Sequence, residues 1–248
     1  MKIAFVGMIG AASLVASVDA GFAGFVAFSR NVGANTVIDV FAAVTNASDR
    51  FLNVYDTQSN GSFVQKAGLS SKTWKPDAAN FTSTRSVSDD SFMTAGTFSG
   101  AAYGGEYYAS GNTTADPNFT GTSWNGTPAS AAATTLPANC GWFTNDPPSV
   151  DNGAELMSTW ATAAGATRTD GTGATGKIYG IWVSHLVIVG NNKALGDGTN
   201  GTISFSAFAS IKDGVTQGTS QASSSFVPAP GAMALLGLAG ALSRRSRR

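Results

Sequence analysis

Nucleophilic catalysis needs a base beside its nucleophile, and among these 248 residues His185 is the only imidazole and Cys140 the only thiol. Any Ser–His or Cys–His pair must therefore use His185. That residue sits inside the apolar run Lys177 to Val189, where the expected state is a histidine packed in a sheet or at its rim. Zinc sites need several His or Cys ligands, which this composition does not supply. Glycosides can be cleaved by paired carboxylates, and Asp89, Asp90, Glu106, Asp146, Asp151 and Glu155 are available. Adjacent Asp89 and Asp90 point to opposite sides of an extended chain and form no such pair. The two-carboxylate route is the one enzymatic chemistry left open, and the expectation is a non-catalytic chain without a cofactor.

Two binding chemistries compete with that reading. The stretch Asp197-Gly198-Thr199-Asn200-Gly201-Thr202 offers oxygens in a tight loop, so Asp197 is a weak calcium candidate. It breaks the EF-hand pattern at Thr199 and lacks the closing Glu, so a hairpin turn is the expectation. Large aromatics can stack on sugars from the face or rim of a β-sandwich, and Trp74, Trp124 and Trp142 are the candidates. Burial in the core is the competing role for each of them.

The elements that must position these residues have period two. Thr36 to Thr45 puts Val37, Asp39, Phe41 and Ala43 on one face and Ile38, Val40, Ala42 and Val44 on the other. The turn-prone Asn46-Ala47-Ser48-Asp49 follows, and Arg50 to Asp56 resumes the alternation, which predicts a hairpin. Lys177 to Val189 is apolar on both faces and reads as a central strand, with Trp182 and Leu186 on one side and Ile181, Val183 and Val187 on the other. Thr202 to Ile211 alternates, with Ile203, Phe205, Ala207, Ala209 and Ile211 inward and Ser204, Ser206 and Ser210 outward. Weaker strands fit Ser62 to Lys66, Ser91 to Phe98 and Ala102 to Tyr108. A short helix is expected near 154–164, where Leu156, Trp160 and Ala164 recur at helical spacing. Many short strands parted by Gly and Asn turns predict an all-β fold, an antiparallel, jelly-roll-like β-sandwich. Residues 111–153, rich in Gly, Pro, Asn and Thr, form a long loop; its aromatics predict that it folds against the sandwich.

The termini set the address. Met1-Lys2 followed by the apolar stretch Ile3 to Ala16, with Val18-Asp19-Ala20 behind it, has the parts of a signal peptide cleaved after Ala20. One cysteine permits no intramolecular disulfide. The sequence sums to a net charge of zero, but Lys2, Asp19 and the four tail arginines lie in the terminal segments. Between residues 21 and 230, ten basic side chains face fourteen acidic ones, a net charge of minus four. Nucleic acid, which needs a basic face, is not an expected partner.

The C-terminus reads Val227-Pro228-Ala229-Pro230, then an apolar run from Gly231 to Leu242, then Ser243-Arg244-Arg245-Ser246-Arg247-Arg248. As a helix the apolar run reaches only ~18 Å against ~30 Å of hydrocarbon, with arginines placed to stay cytoplasmic. Residues 227–248 resemble the sorting tail of PEP-CTERM proteins. In that family the residue between the prolines is typically Glu, where this chain has Ala229. The resemblance implies export, a transient hold in the membrane by Val227 to Pro230 and Arg244, Arg245, Arg247 and Arg248, and processing by an exosortase-type enzyme. It also implies a place at the cell surface or in an exopolysaccharide matrix. The domains expected are a signal peptide over 1–20, one sandwich over 21–226 and the sorting tail over 227–248, with both terminal segments helical. The function expected is a non-catalytic surface or matrix protein, with polysaccharide binding through exposed aromatics as the alternative.

Overall fold

A computed structural model describes residues 22–44, 46, 48–66, 72–77, 87–98, 107–109, 112–119, 124, 134–145, 167–170, 179–196, 198, 202–213 and 219–225. Within them the chain forms β1 (Phe22–Val32), β2 (Asn35–Val44), β3 (Arg50–Ser59), β4 (Phe92–Phe98), β5 (Tyr107–Tyr108) and β6 (Thr113–Ala115). It continues with β7 (Cys140–Thr144), β8 (Thr167–Asp170), β9 (Tyr179–Val189), β10 (Leu195–Gly196), β11 (Ile203–Lys212) and β12 (Thr219–Ser225). One six-stranded sheet has the order β5-β4-β9-β2-β1-β8. The other has the order β10-β11-β3-β7-β6, with β12 also paired to β11. The ladders are antiparallel except the two-residue β10–β11 pairing. The fold is an all-β sandwich. The expected helix at 154–164 and both terminal apolar segments lie outside the described residues.

Gly33 makes the first turn. Val32 pairs with Asn35, and Gly33 between them has φ +62°, a conformation that costs a side chain strain even though nothing lies within 4 Å of where a Cβ would sit. The predicted hairpin between residues 36–45 and 50–56 does not form. β2 pairs with β1 and β9 in one sheet, whereas β3 pairs with β11 and β7 in the other, so residues 46–49 carry the chain across the sandwich. The physical reason is that β2 is buried along nearly all of its length, which requires a strand on each side and cover on both faces. A hairpin to the half-polar β3 would not supply that. Ser62 to Lys66 is not a strand either. Its backbone is held piecemeal, with Phe63 N–H donating to Thr134 O at 2.7 Å and Val64 N–H to Val187 O at 2.7 Å. The long loop 111–153 contains two strands, β6 and β7, which pair with each other and, through β7, with β3.

Between the sheets lies one apolar core. Ile38, Val40 and Ala42 from β2 meet Phe205, Ala207 and Ala209 from β11, and the Phe25 ring stands edge-on to Phe205 at 5.9 Å and 90°. β9 is central as expected, but its faces change over midway. Val40 pairs with Ser184 and Phe41 with Trp182, so Val183 is an extra residue, a bulge. Ile181 and Val183 on one side of the bulge and Leu186 and Ile188 on the other all enter the core, and Trp182 turns away from it. Phe28, Val37, Phe41, Phe92, Trp182 and Val187 lie on the opposite face of this sheet and are as deeply buried. The first sheet is thus buried on both faces.

The bulge also ties the two sheets together. Met93 pairs with Ser184 and Gly96 with Trp182, which leaves Thr94 and Ala95 off the β4–β9 ladder. Their backbone groups are completed by the other sheet: Trp142 Nε1–H donates to Thr94 O at 3.0 Å, and Ala95 N–H donates to Thr113 Oγ1 at 3.0 Å. Both are buried, so each lost bond strands a polar group without water. Thr113→Val keeps the shape and removes the acceptor; it is expected to lower the unfolding free energy by about 1–3 kcal/mol with the denaturant slope unchanged, read by urea titration.

Candidate functional site

Pairing places four side chains in one row across the outer face of the first sheet. Phe28 of β1 pairs with Asp39 of β2, Asp39 with His185 of β9, and His185 with Phe92 of β4. Arg30, two residues along β1 from Phe28, reaches Asp39 diagonally. Arg30 Nη1 donates to Asp39 Oδ2, and His185 Nδ1 meets Asp39 Oδ1 at 2.7 Å. His185 Nε2 meets Val87 O at 3.0 Å. The imidazole stacks on Phe92 at 5.0 Å and 18° and stands edge-on to Trp182 at 5.9 Å and 86°. Arg30 keeps 8% of its side-chain exposure, and Asp39 and His185 have none.

Two opposing effects act on Asp39. Burial, the larger single influence, raises its pKa, while Arg30 and His185 lower it by charge and by hydrogen bonds and together prevail, holding it below its ordinary value of 3.8. Both ring nitrogens of His185 are engaged inside the fold, Nδ1 by the Asp39 carboxylate and Nε2 by the Val87 carbonyl, and neither faces a nucleophile. Cys140 is equally committed. It faces the core from β7, and burial, followed by the nearby Asp116, pushes its thiol up to about 12. His185 and Cys140 are not brought together, since they occupy the outer face of one sheet and the inner face of the other.

The four described tryptophans are buried as well, Trp74, Trp124 and Trp142 in the core between the sheets and Trp182 on the opposite face of the first sheet. Trp74, Trp142 and Trp182 are fully buried and Trp124 retains 8%. Trp74 stands edge-on to Phe63 at 5.7 Å, and Trp124 packs on Phe119 at 5.2 Å. For Trp74, Trp124 and Trp142 the core role holds and the alternative of a sugar platform is not available, because these rings fill the space between and beside the sheets. What the open face of the second sheet presents is a different strip. Phe208 of β11 pairs with Tyr55 of β3, their rings stacked at 5.3 Å and 24°, and Phe143 of β7 pairs with Asn53 one step away. These four are half-buried. Tyr55 and Asp56 form a bulge opposite Gly141, which must be glycine: a Cβ there would lie 2.6 Å from Val54 O and 2.9 Å from Tyr55 Cα. Beside the bulge runs a chain of polar groups, with Gln58 Nε2 donating to Asn139 Oδ1, Asn118 Nδ2 to Asn139 O at 2.7 Å, and Asn118 N–H to Asp116 Oδ1 at 2.9 Å.

Of the carboxylates, Asp89 is exposed and Asp90 is buried, on opposite sides as their adjacency requires. Glu106, Asp146, Asp151, Glu155 and the calcium candidate Asp197 lie outside the described residues. Among the described residues no group of three or more His, Cys, Asp and Glu side chains could hold a metal. Arg30 and Asp39 were not singled out by motif, although Asp39 alone on the apolar face of a strand signals a buried partner. No family model, curated protein or solved structure matches this chain.

Asp39→Asn should cost about 3–5 kcal/mol at neutral pH, because it leaves Arg30 buried without its counter-charge. The folded-state pKa of Asp39 is depressed, so its contribution is present above about pH 4 and is lost as pH falls through and below that value. Urea titrations from pH 7 to pH 2 should accordingly show the gap between wild type and Asp39→Asn narrowing in acid.

Proposed function

We propose that the chain is an exported, non-catalytic protein of the cell surface or extracellular matrix, held briefly at the membrane by residues 227–248 and then released or transferred outward. The observation that carries this reading is the order of parts at the C-terminus: Pro228 and Pro230, twelve apolar residues, then Arg244, Arg245, Arg247 and Arg248. A run too short to span comfortably, closed by cytoplasmic arginines, suits a processing signal better than a permanent anchor. Supporting it, the only histidine and the only cysteine are spent on holding the sandwich together. The described strands end at Ser225, two residues before the tail begins. Among the described residues no helix is long and apolar enough to cross a membrane.

Mass spectrometry of the protein recovered from the exporting cell tests this. The expected mature chain begins at Gly21 and lacks Arg248, and replacing the four tail arginines with alanine retains the precursor. A surface protein still ending in Arg248 overturns the sorting reading.

A second reading, recognition of polysaccharide, is favoured by the Tyr55–Phe208–Phe143 strip with Gln58, Asn118 and Asn139 beside it, since aromatic faces and planar amides are what sugar rings and hydroxyls bind. On a polysaccharide array, Tyr55→Ala is expected to weaken binding about tenfold, the effect of losing one aromatic contact of ~1–1.5 kcal/mol. An array on which the wild-type chain binds nothing removes this second reading and leaves the first standing.

A further inference from the structure

Strand pairing lines up one row across the open face of the second sheet. Phe208 of β11 pairs with Tyr55 of β3, and opposite the Tyr55–Asp56 bulge β7 offers only Gly141. Asp116 continues the row just past β6, its N–H donating to Gly141 O at 2.9 Å. One face of the Tyr55 ring stacks on Phe208, so the other is turned toward β7 and the glycine. A Cβ on Gly141 would lie 2.8 Å from Asp116 Oδ2 and 2.9 Å from Tyr55 Cα. The carboxylate and the tyrosine thus converge on one point of the sheet that carries no side chain. Asp56, which follows Tyr55 in the bulge, is exposed. Little positive charge answers these acids. The strands β3, β6, β7, β11 and β12 hold two basic residues, Arg50 and Lys212, which pair with each other at the far end of β3 and β11. Among the described residues neither Asp56 nor Asp116 has an ion-pair partner.

We propose that this strip binds a cationic polysaccharide, one whose sugar units carry protonated amines, with an ammonium held between the Tyr55 ring and the Asp116 carboxylate. This assignment rests on the polysaccharide reading of the strip and narrows it to one charge class. An ammonium is drawn both to the face of an aromatic ring and to a carboxylate, and a position beside Gly141 combines the two attractions. Asp116 is half-buried, so water screens it less and it is the stronger partner; exposed Asp56 adds a weaker pull. A neutral sugar would leave both charges unanswered, and an acidic one would be repelled by both. The pyranose rings on either side of the bound unit meet Phe208 and Phe143, and the amides of Gln58, Asn118 and Asn139 border the same row.

Calorimetric titration of the full chain with a glucosamine hexamer tests this, with the fully N-acetylated hexamer and a galacturonate hexamer as the neutral and acidic arms, at a mildly acidic pH where the amines are protonated. The glucosamine hexamer is expected to bind about tenfold tighter than its N-acetylated form, and galacturonate not to bind. Asp116→Asn, whose amide oxygen still accepts from Asn118 N–H, should weaken glucosamine binding about tenfold, Tyr55→Ala about tenfold and Asp56→Asn about threefold. In the wild-type chain, raising salt from about 50 to about 500 mM should weaken glucosamine binding several-fold and leave the N-acetylated form unchanged, a readout that no variant's folding can disturb. Equal binding of the glucosamine and N-acetylated hexamers overturns the cationic class and leaves the polysaccharide reading standing. Glucosamine binding that keeps its wild-type strength in Asp116→Asn and Tyr55→Ala overturns the site. No binding of any hexamer overturns this assignment and the polysaccharide reading together.

Discussion

A carboxylate with no exposure at the centre of an apolar sheet is the constraint around which the rest is arranged. Asp39 is tolerable there only because Arg30 and His185 reach it from the strands on either side. That requirement fixes β1, β2 and β9 in register. Sliding either neighbour by one residue would withdraw its partner and send its apolar side chains to the wrong face. Hydrophobic burial alone would not choose so sharply, since β2 and β9 are apolar on both faces and several alignments bury similar area. The polar triad supplies the specificity, and the aromatics around it, Phe28, Phe41, Phe92 and Trp182, keep it dry.

The second constraint is set by the bulge at Val183. It turns Trp182 out of the core, swaps the faces of β9 and leaves two backbone groups of β4 without a ladder partner. Sheet-to-sheet hydrogen bonds from Trp142 and Thr113 then finish what the strand pairing leaves open. A local irregularity in one layer is thereby repaired by the other.

Much of this was legible in the residues. The alternation in β2 assigns its faces correctly because each position obeys period two without interruption, and Ser204 and Ser206 mark the wetter face of β11, although Ser210 in the same stripe is buried. The hairpin expected across Asn46 to Asp49 failed for a reason that no local pattern carries: turn residues say that the chain reverses, not which sheet it enters. β9 misled for a similar reason, since its bulge is imposed by neighbours on both sides. The tryptophans were ambiguous in sequence, because the same ring can serve as core or as platform, and only packing separates the two.

Asp39 and His185 are 146 residues apart in the chain. Through most of synthesis β2 has only β1 beside it, a hairpin with both apolar faces wet and a carboxylate that has Arg30 but not yet His185, which is no stable unit. The sandwich can close only after β9, which ends at Val189 of 248 residues, has been made, when about three-quarters of the polypeptide already exists. Closure through such distant pairings is slow, and the nascent chain stays open and extended for a long interval. An open chain is the form that the proposed export, through a narrow translocation pore, would require.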